Sequence, residues 1–350
     1  MLQPLSVGAP SARTPATFNF PPAAPRRGAV SIRSAAALTH PAGTPGWLRQ
    51  RLKFFVRAWS RPRFTHAWLA RLVQPDLAPL WAAHPRLATK LQRPYLCAAW
   101  DVPERFAALM GHYDALQYLT APEACAAIYR HGVGLLELAT PASGRALEVR
   151  LFYRDQFEKE GELTLAVDDR ATGLTLAGLT FCLFRHDAQR VLAIGGLQAT
   201  PDPRTRGLIH DVAKEMHGLR PKAFALWCVQ QLAAAWQVGQ IQGIGDAQHI
   251  YRHRHKRRDF AASYDEFWLE SDGRQLSGGG SWELPLQLRP RAREELKPSR
   301  RKAHERRYAM LATLQPQLLA AIAALAPGMA VAAAPRAVAA RELVAPHHSF

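Results

Sequence analysis

Apolar positions recur along the chain with two different periods, and the change near residue 132 divides it. Before that point the spacing is helical. Within residues 47–59, Leu48, Leu52, Phe55, Val56 and Trp59 share one face of a helix while Arg49, Lys53 and Arg57 line another. Further helices are expected over residues 64–73 and 103–119, the second carrying Arg105, His112 and Tyr113. Beyond residue 132, short runs of strand-forming residues at 134–139, 146–153, 162–168, 175–184 and 191–197 alternate with turn residues. The connections at 142–145 and 168–173 are hairpin-like, so this stretch predicts an antiparallel meander. The helical period then returns over residues 205–216, followed by a turn at Gly218 and a long helix over 221–238. A strand at 240–245 follows, then a shorter helix opening at Asp246 and carrying Gln248, His249, Ile250 and Tyr251. Residues 264–270 and 282–288 read as the last strands, and a basic helix over 299–325 closes the fold. Strands first, then helix–strand–helix–strand, predict an α+β fold: an antiparallel or mixed central sheet flanked by helices, with helical additions at both ends.

Composition changes this picture at the ends. The chain has 350 residues, 48% of them hydrophobic, which is enough for a sizeable core. Residues 1–45 are rich in Pro, Ala, Ser and Thr and are expected to be disordered, as is the tail over 326–350. Between them, a helical region over 46–100 precedes the α+β domain over 101–325. No Asp or Glu occurs before Asp76. That acid-poor, Arg-bearing start has the composition of an organelle transit peptide, and a loosely assigned bacterial gene start is the preferred explanation. Four cysteines without a CxxC pair suggest reduced, buried thiols. With no apolar run of membrane-spanning length and no secretory signal, a cytoplasmic location is expected, with peripheral contact at the inner membrane left open.

The net charge of +17 calls for an anionic partner: nucleic acid, phospholipid, lipopolysaccharide or a phosphorylated cofactor. The basic runs over 252–258 and 300–307 suit phosphates, but without interleaved aromatics or a known module they do not favour nucleic acid. The helix over 47–59 suits an anionic membrane surface. The preferred alternative is that it packs on its own domain with a solvated basic side.

The candidate chemistry begins at His217-Gly218-Leu219-Arg220-Pro221-Lys222. Glycine permits positive φ, and proline suits the first helical position. The free N–H groups of that first turn, with Arg220 and Lys222, form an anion cradle; alternatively Gly218 only turns the chain. Glu160 and Glu162 straddle Gly161 at a strand start. Such a pair can supply a base for an amine or hydroxyl, recognise a cation, or pair with Lys159 and nearby arginines. His217 and Glu215 are further candidate bases. Tyr251 is either a general acid or a buried ring. His249 and His253 have helical metal-ligand spacing, but no carboxylate or thiolate completes a set among the arginines, so no metal is expected. Gly278-Gly279-Gly280-Ser281 lacks the strand–Gly-x-Ser-x-Gly–helix frame of a nucleophile elbow.

Several ordered motifs resemble the VirK/YbjX family of Gram-negative bacteria between residues 105 and 319. They are Arg105 with His112-Tyr113, the segment 157–163, Ile194-Gly195-Gly196-Leu197-Gln198, His217 to Lys222, His249-Ile250-Tyr251, Tyr264 to Glu270, and the basic residues 300–308. The resemblance implies links to virulence, envelope integrity and tolerance of cationic antimicrobial peptides, without an established reaction. Asp246 stands where that family leads one to expect Asn. The order of elements is also similar to the GCN5-related acyltransferases. That similarity implies acyl-coenzyme A or coenzyme A as cofactor, with Gly218, Leu219, Arg220 and Lys222 at its pyrophosphate, Asp246 at the helix opening and Tyr251 protonating the departing thiolate. Pro221-Lys222 replaces the further glycines usual in that loop. Two functions stay open: an acyl-CoA-dependent acyltransferase-like protein in envelope maintenance, or a non-catalytic cytoplasmic binder of anionic membrane or envelope components.

Overall fold

The computed structural model describes residues 30–252 and 263–328. Six helices come first: α1 (Ile32–Thr39), α2 (Trp47–Ser60), α3 (Pro62–Leu72), α4 (Ala78–Ala83), α5 (Val102–Leu119) and α6 (Pro122–Arg130), with a 3-10 segment Pro85–Gln92 after α4. The local chemistry at their starts explains their bounds. Asp101 and Glu104 form a reciprocal capping box on α5, and α3, α4, α5 and α6 each have proline in the first turn. The expected disorder over 1–45 does not extend to α1. Ser31 caps that helix through Ser34 N–H, and Ala35 and Ala36 are fully buried. Residues 1–29 and 329–350 lie outside the described residues.

Strands β1 (Val133–Ala139), β2 (Ala146–Phe152), β3 (Leu163–Asp169), β4 (Thr175–His186) and β5 (Gln189–Gln198) form the meander, within three residues of the expected bounds. Then come α7 (Pro203–Glu215), α8 (Pro221–Ala235) and β6 (Gln240–Ile244). Helix α9 (Tyr264–Glu270), β7 (Arg274–Gln275), β8 (Ser281–Leu284) and α10 (Pro298–Ala323) complete the described chain. The fold is α+β, with one eight-stranded mixed sheet in the order β1-β2-β3-β4-β5-β6-β8-β7. The β5–β6 pair is parallel and is joined through α7 and α8; the other neighbouring pairs are antiparallel. Every position of β3 is buried, so both faces of the sheet are covered, with α5 and α8 packing on its centre.

Two expectations are corrected here. Residues 264–270 form α9, not a strand: Tyr264, Phe267 and Trp268 are buried at helical spacing, and Ser263 accepts from Glu266 N–H as the cap. The helix expected to open at Asp246 is a single 3-10 turn, Asp246–Gln248, and Tyr251 sits in the turn beyond it. Asp246 instead accepts from Tyr264 N–H at 3.0 Å and from Ser263 Oγ, so it serves the start of α9.

Under the sheet, His84 joins three elements. Its Nε2 is 2.7 Å from Tyr129 O, its Nδ1 is 3.4 Å from Asp155, and its ring packs on Tyr153. Burial works against the charged imidazole, but Asp155 and the Tyr129 carbonyl outweigh it and raise its pKa. The same contact lowers that of Asp155 against its own burial. A raised histidine pKa stabilises the fold at pH values below the free imidazole's and loses that contribution as pH rises through the folded value. Thermal melts of the protein and of His84→Gln should therefore differ most near about pH 6 and converge above about pH 8. A difference that grows with pH would contradict this assignment.

Candidate functional site

The segment between β2 and β3 is where charge enters the interior. Leu96 N–H donates to Lys159 O at 2.7 Å and Glu162 N–H to Phe181 O at 2.8 Å, which lays residues 158–162 across β4 and β5. Gly195 and Gly196 make room for it. A Cβ on Gly195 would stand 2.2 Å from Glu160 O, and one on Gly196 would stand 2.8 Å from the Glu160 carboxyl carbon. Three alternate glutamates on this segment are buried, and each finds different partners. Glu158 meets Arg86 and Arg93, the latter at 2.6 Å. Glu162 meets Lys90 Nζ at 2.7 Å and accepts from Tyr113 OH at 2.7 Å. Glu160 lies 3.4 Å from His249 Nε2 and accepts from Gln198 Nε2. The two carboxylates expected to act together, Glu160 and Glu162, are thus committed to separate partners.

The Glu162 branch is closed. Its side chain and that of Lys90 are 0% and 1% exposed, and Lys90 also reaches the carbonyls of Glu158 and Gly161. The ammonium lies over the rings of Tyr95 and Tyr153 at 5.5 and 4.8 Å. Burial, with Glu162 nearby, pushes the phenols of Tyr113, Tyr129 and Tyr153 upward. His112 beside them is pushed well below its ordinary value by burial and Lys90; its Nδ1 accepts from Leu183 N–H. The phenols therefore stay protonated and the His112 imidazole neutral, and the network holds the sheet to α5 and the 3-10 segment.

The Glu160 branch faces the carboxyl ends of the parallel strands. β5 and β6 last pair at Ile194↔Gly243 and then diverge. At the carboxyl ends of parallel strands open α/β sheets commonly place ligands. Here Tyr264 and Trp268 of α9 stand in the wedge. Tyr264 OH accepts from Leu197 N–H at 3.0 Å and lies 3.3 Å from Leu197 O, while Trp268 Nε1 donates to Ile244 O at 3.0 Å. The His249 ring packs on Tyr264 with centroids 4.6 Å apart, and its Nδ1 accepts from Tyr251 N–H at 3.3 Å. That bond leaves Nε2 as the nitrogen whose proton faces Glu160. Tyr251 adjoins the pair, its ring 5.8 Å from that of His249 and under Lys159 Nζ at 5.4 Å.

The anion cradle lies at the other end of α9. His217 and Gly218 have φ of 55° and 79°, which turns the chain into α8. Leu219 is buried, and Arg307 of α10 donates to His217 O at 2.9 Å. Arg220 and Lys222 both meet Glu270, at 2.6 and 3.4 Å, and Lys222 stands over the Phe267 ring at 4.5 Å. The hydrogen bond from Arg220 lowers the Glu270 pKa, so a carboxylate of the protein already occupies the two cations. With Tyr264 on His249 and Glu270 on Arg220, the two parts of the expected site are held at opposite ends of one short helix, about 9 Å apart along its axis.

Other candidates lie apart. Glu215 accepts from Ser143 Oγ at 2.7 Å and from Thr140, which ties α7 to the β1–β2 hairpin. His253 and most of the basic run 252–258 lie outside the described residues. Among the described residues no group of three or more His, Cys, Asp and Glu could hold a metal ion, and no helix is long and apolar enough to cross a membrane. All four cysteines are free. A cavity of about 280 Å³ is lined by Arg291, Arg301, His304 and Tyr308 around α10, away from Glu160 and His249. Buried charge and strand divergence coincide at the Glu160 site. Sequence reasoning missed Lys90, took up Gln198 and Tyr264 only within the motifs of the family resemblance, and gave His249 no role beyond such a motif and a metal ligand. The readable signal was the alternation of three glutamates beside a Gly-Gly pair on a neighbouring strand.

Residues 44–320 match the family described as "Protein of unknown function (DUF535)". The chain is 32% identical over 279 residues to "Uncharacterized protein YbjX" of Escherichia coli K12, covering 78% of this chain and 84% of that protein. It is 29% identical over 120 residues to an "Uncharacterized protein" of Haemophilus influenzae, covering 34% of this chain and 40% of that one. Because the family model matches residues 44–320 and the Escherichia coli relative is 32% identical over 84% of its own length, the chain belongs to the YbjX/VirK family of proteins of unknown function.

Proposed function

We propose that the chain is an acyl-transfer enzyme of GCN5-related type, with Glu160, oriented by His249, as its proton acceptor and an acyl-coenzyme A as donor. The observation that carries this reading is the buried carboxylate–imidazole pair at the carboxyl ends of the parallel strands. The order of elements supports it: antiparallel strands, a basic loop opening a long helix, then a strand parallel to the last of the meander. An amine or hydroxyl of an envelope component gives its proton to Glu160 as it attacks the thioester carbonyl. The carbon–sulfur bond breaks, and the Tyr251 phenol protonates the thiolate. Phosphates of the donor take the place of the Glu270 carboxylate on Arg220 and Lys222.

Calorimetric titration with coenzyme A tests the donor site. Wild type binds, Lys222→Glu weakens binding more than about tenfold, and Glu270→Gln strengthens it about two- to fivefold, the worth of an exposed ion pair. Glu160→Gln leaves that affinity intact and removes acyl transfer. Absence of coenzyme A binding by both wild type and Glu270→Gln rejects the proposal.

A further inference from the structure

Helix α2 has two apolar faces, and the fold uses one. Turning about 100° per residue, Trp47, Phe54 and Ala58 fall on one arc, with Phe54 and Ala58 buried against the domain. Leu48, Leu52, Val56 and Trp59 fall on another and are 67%, 63%, 62% and 74% exposed. Large apolar side chains so exposed and so aligned, on a 14-residue helix, mark an interaction surface. Arg49, Lys53 and Arg57 run beside this stripe, and Arg61 and Arg63 continue it at the start of α3. None of these five makes an ion pair with a described residue. Between Val30 and Pro75 the sequence has eight Arg or Lys and no Asp or Glu. At the end of α2 a notch of about 80 Å³ is lined by Arg57, Arg61 and Arg105 with Ser60 and Thr65.

We infer that α2 docks the protein on the surface of an anionic phospholipid bilayer. The stripe enters the boundary between headgroups and acyl chains with Trp59 at the interface, and the basic row holds lipid phosphates, one of them at the Arg57–Arg61–Arg105 notch. Charge decides the occupant. A second copy placed stripe to stripe would bring two acid-free basic rows together, whereas a bilayer supplies negative charge beside apolar chains along the whole helix. The stripe is also convex, which a fluid surface accommodates without a matching groove. This inference rests on α2 alone and holds whatever chemistry Glu160 performs.

Flotation of the full-length protein with vesicles tests it, using phosphatidylethanolamine mixed with phosphatidylglycerol against phosphatidylcholine alone, at low and high salt. Binding to the anionic vesicles is expected, weakening as salt rises. Arg49→Glu/Lys53→Glu/Arg57→Glu lowers it on the order of a hundredfold at low salt. Leu52→Glu/Trp59→Glu and the milder Leu48→Ser/Val56→Ser each lower it about tenfold or more, with melting temperatures unchanged because all four side chains face outward. Any of four results overturns the inference: no vesicle binding by wild type, equal binding to neutral vesicles, or full binding by both stripe variants. The fourth is a wild-type dimer that Leu52→Glu/Trp59→Glu dissociates, which would make the stripe an interface between copies of the chain.

Discussion

Lys90→Met destabilises the protein by about 3–5 kcal/mol, while Lys90→Met/Glu162→Gln recovers much of the loss. The asymmetry follows from where the pair lies. Both side chains are sealed from solvent, and Lys90 Nζ meets Glu162, two backbone carbonyls and two aromatic rings. Removing the ammonium alone strands a carboxylate whose remaining partner is the Tyr113 hydroxyl. Neutralising both ends restores a network of neutral groups, since an amide still accepts from Tyr113. Denaturant titration of the two single variants and the double variant gives the coupling directly. Additive losses would mean that the pair contributes nothing as a pair.

Gly195→Ala has the second large effect, at or above the upper end of the roughly 1–3 kcal/mol usual for overpacking. Its new methyl group would lie 2.2 Å from Glu160 O and 2.7 Å from Leu96 Cδ1. Backbone yields less readily than a side-chain tip, so residues 158–162 must lift from β5, and the Glu160–His249 contact goes with them. Gly207→Ala on exposed α7 is the control. Nothing stands within 4 Å of its added methyl, and it should gain about 0.5–1 kcal/mol. A Gly195→Ala variant as stable as wild type would mean that the segment does not rest on the strand as described.

Much of the fold was legible because it is periodic. The meander alternates, the helices repeat at i, i+3 and i+4, and Pro221 marks the start of α8 within its own turn. Residues 264–270 misled because three aromatics in seven residues favour a strand by composition. The better signal was local: Ser263 three residues before Glu266, with Tyr264, Phe267 and Trp268 at helical spacing. The site was legible only in part. Glu160 stands out by its neighbours, but His249 reaches it through the parallel pairing of β5 with β6, a consequence of topology that no local pattern carries. The cradle residues were legible as chemistry; that Glu270 satisfies them depends on α9 being a helix.

Helix α9 has seven residues, too few to be stable in isolation. Its persistence comes from attachments at either extremity, Tyr264 with Asp246 at one and Glu270 with two cations at the other. Cutting one mooring therefore loosens the opposite one, so that amide exchange at Leu197 should quicken when Glu270 is replaced, although the two lie at different ends of the same rod.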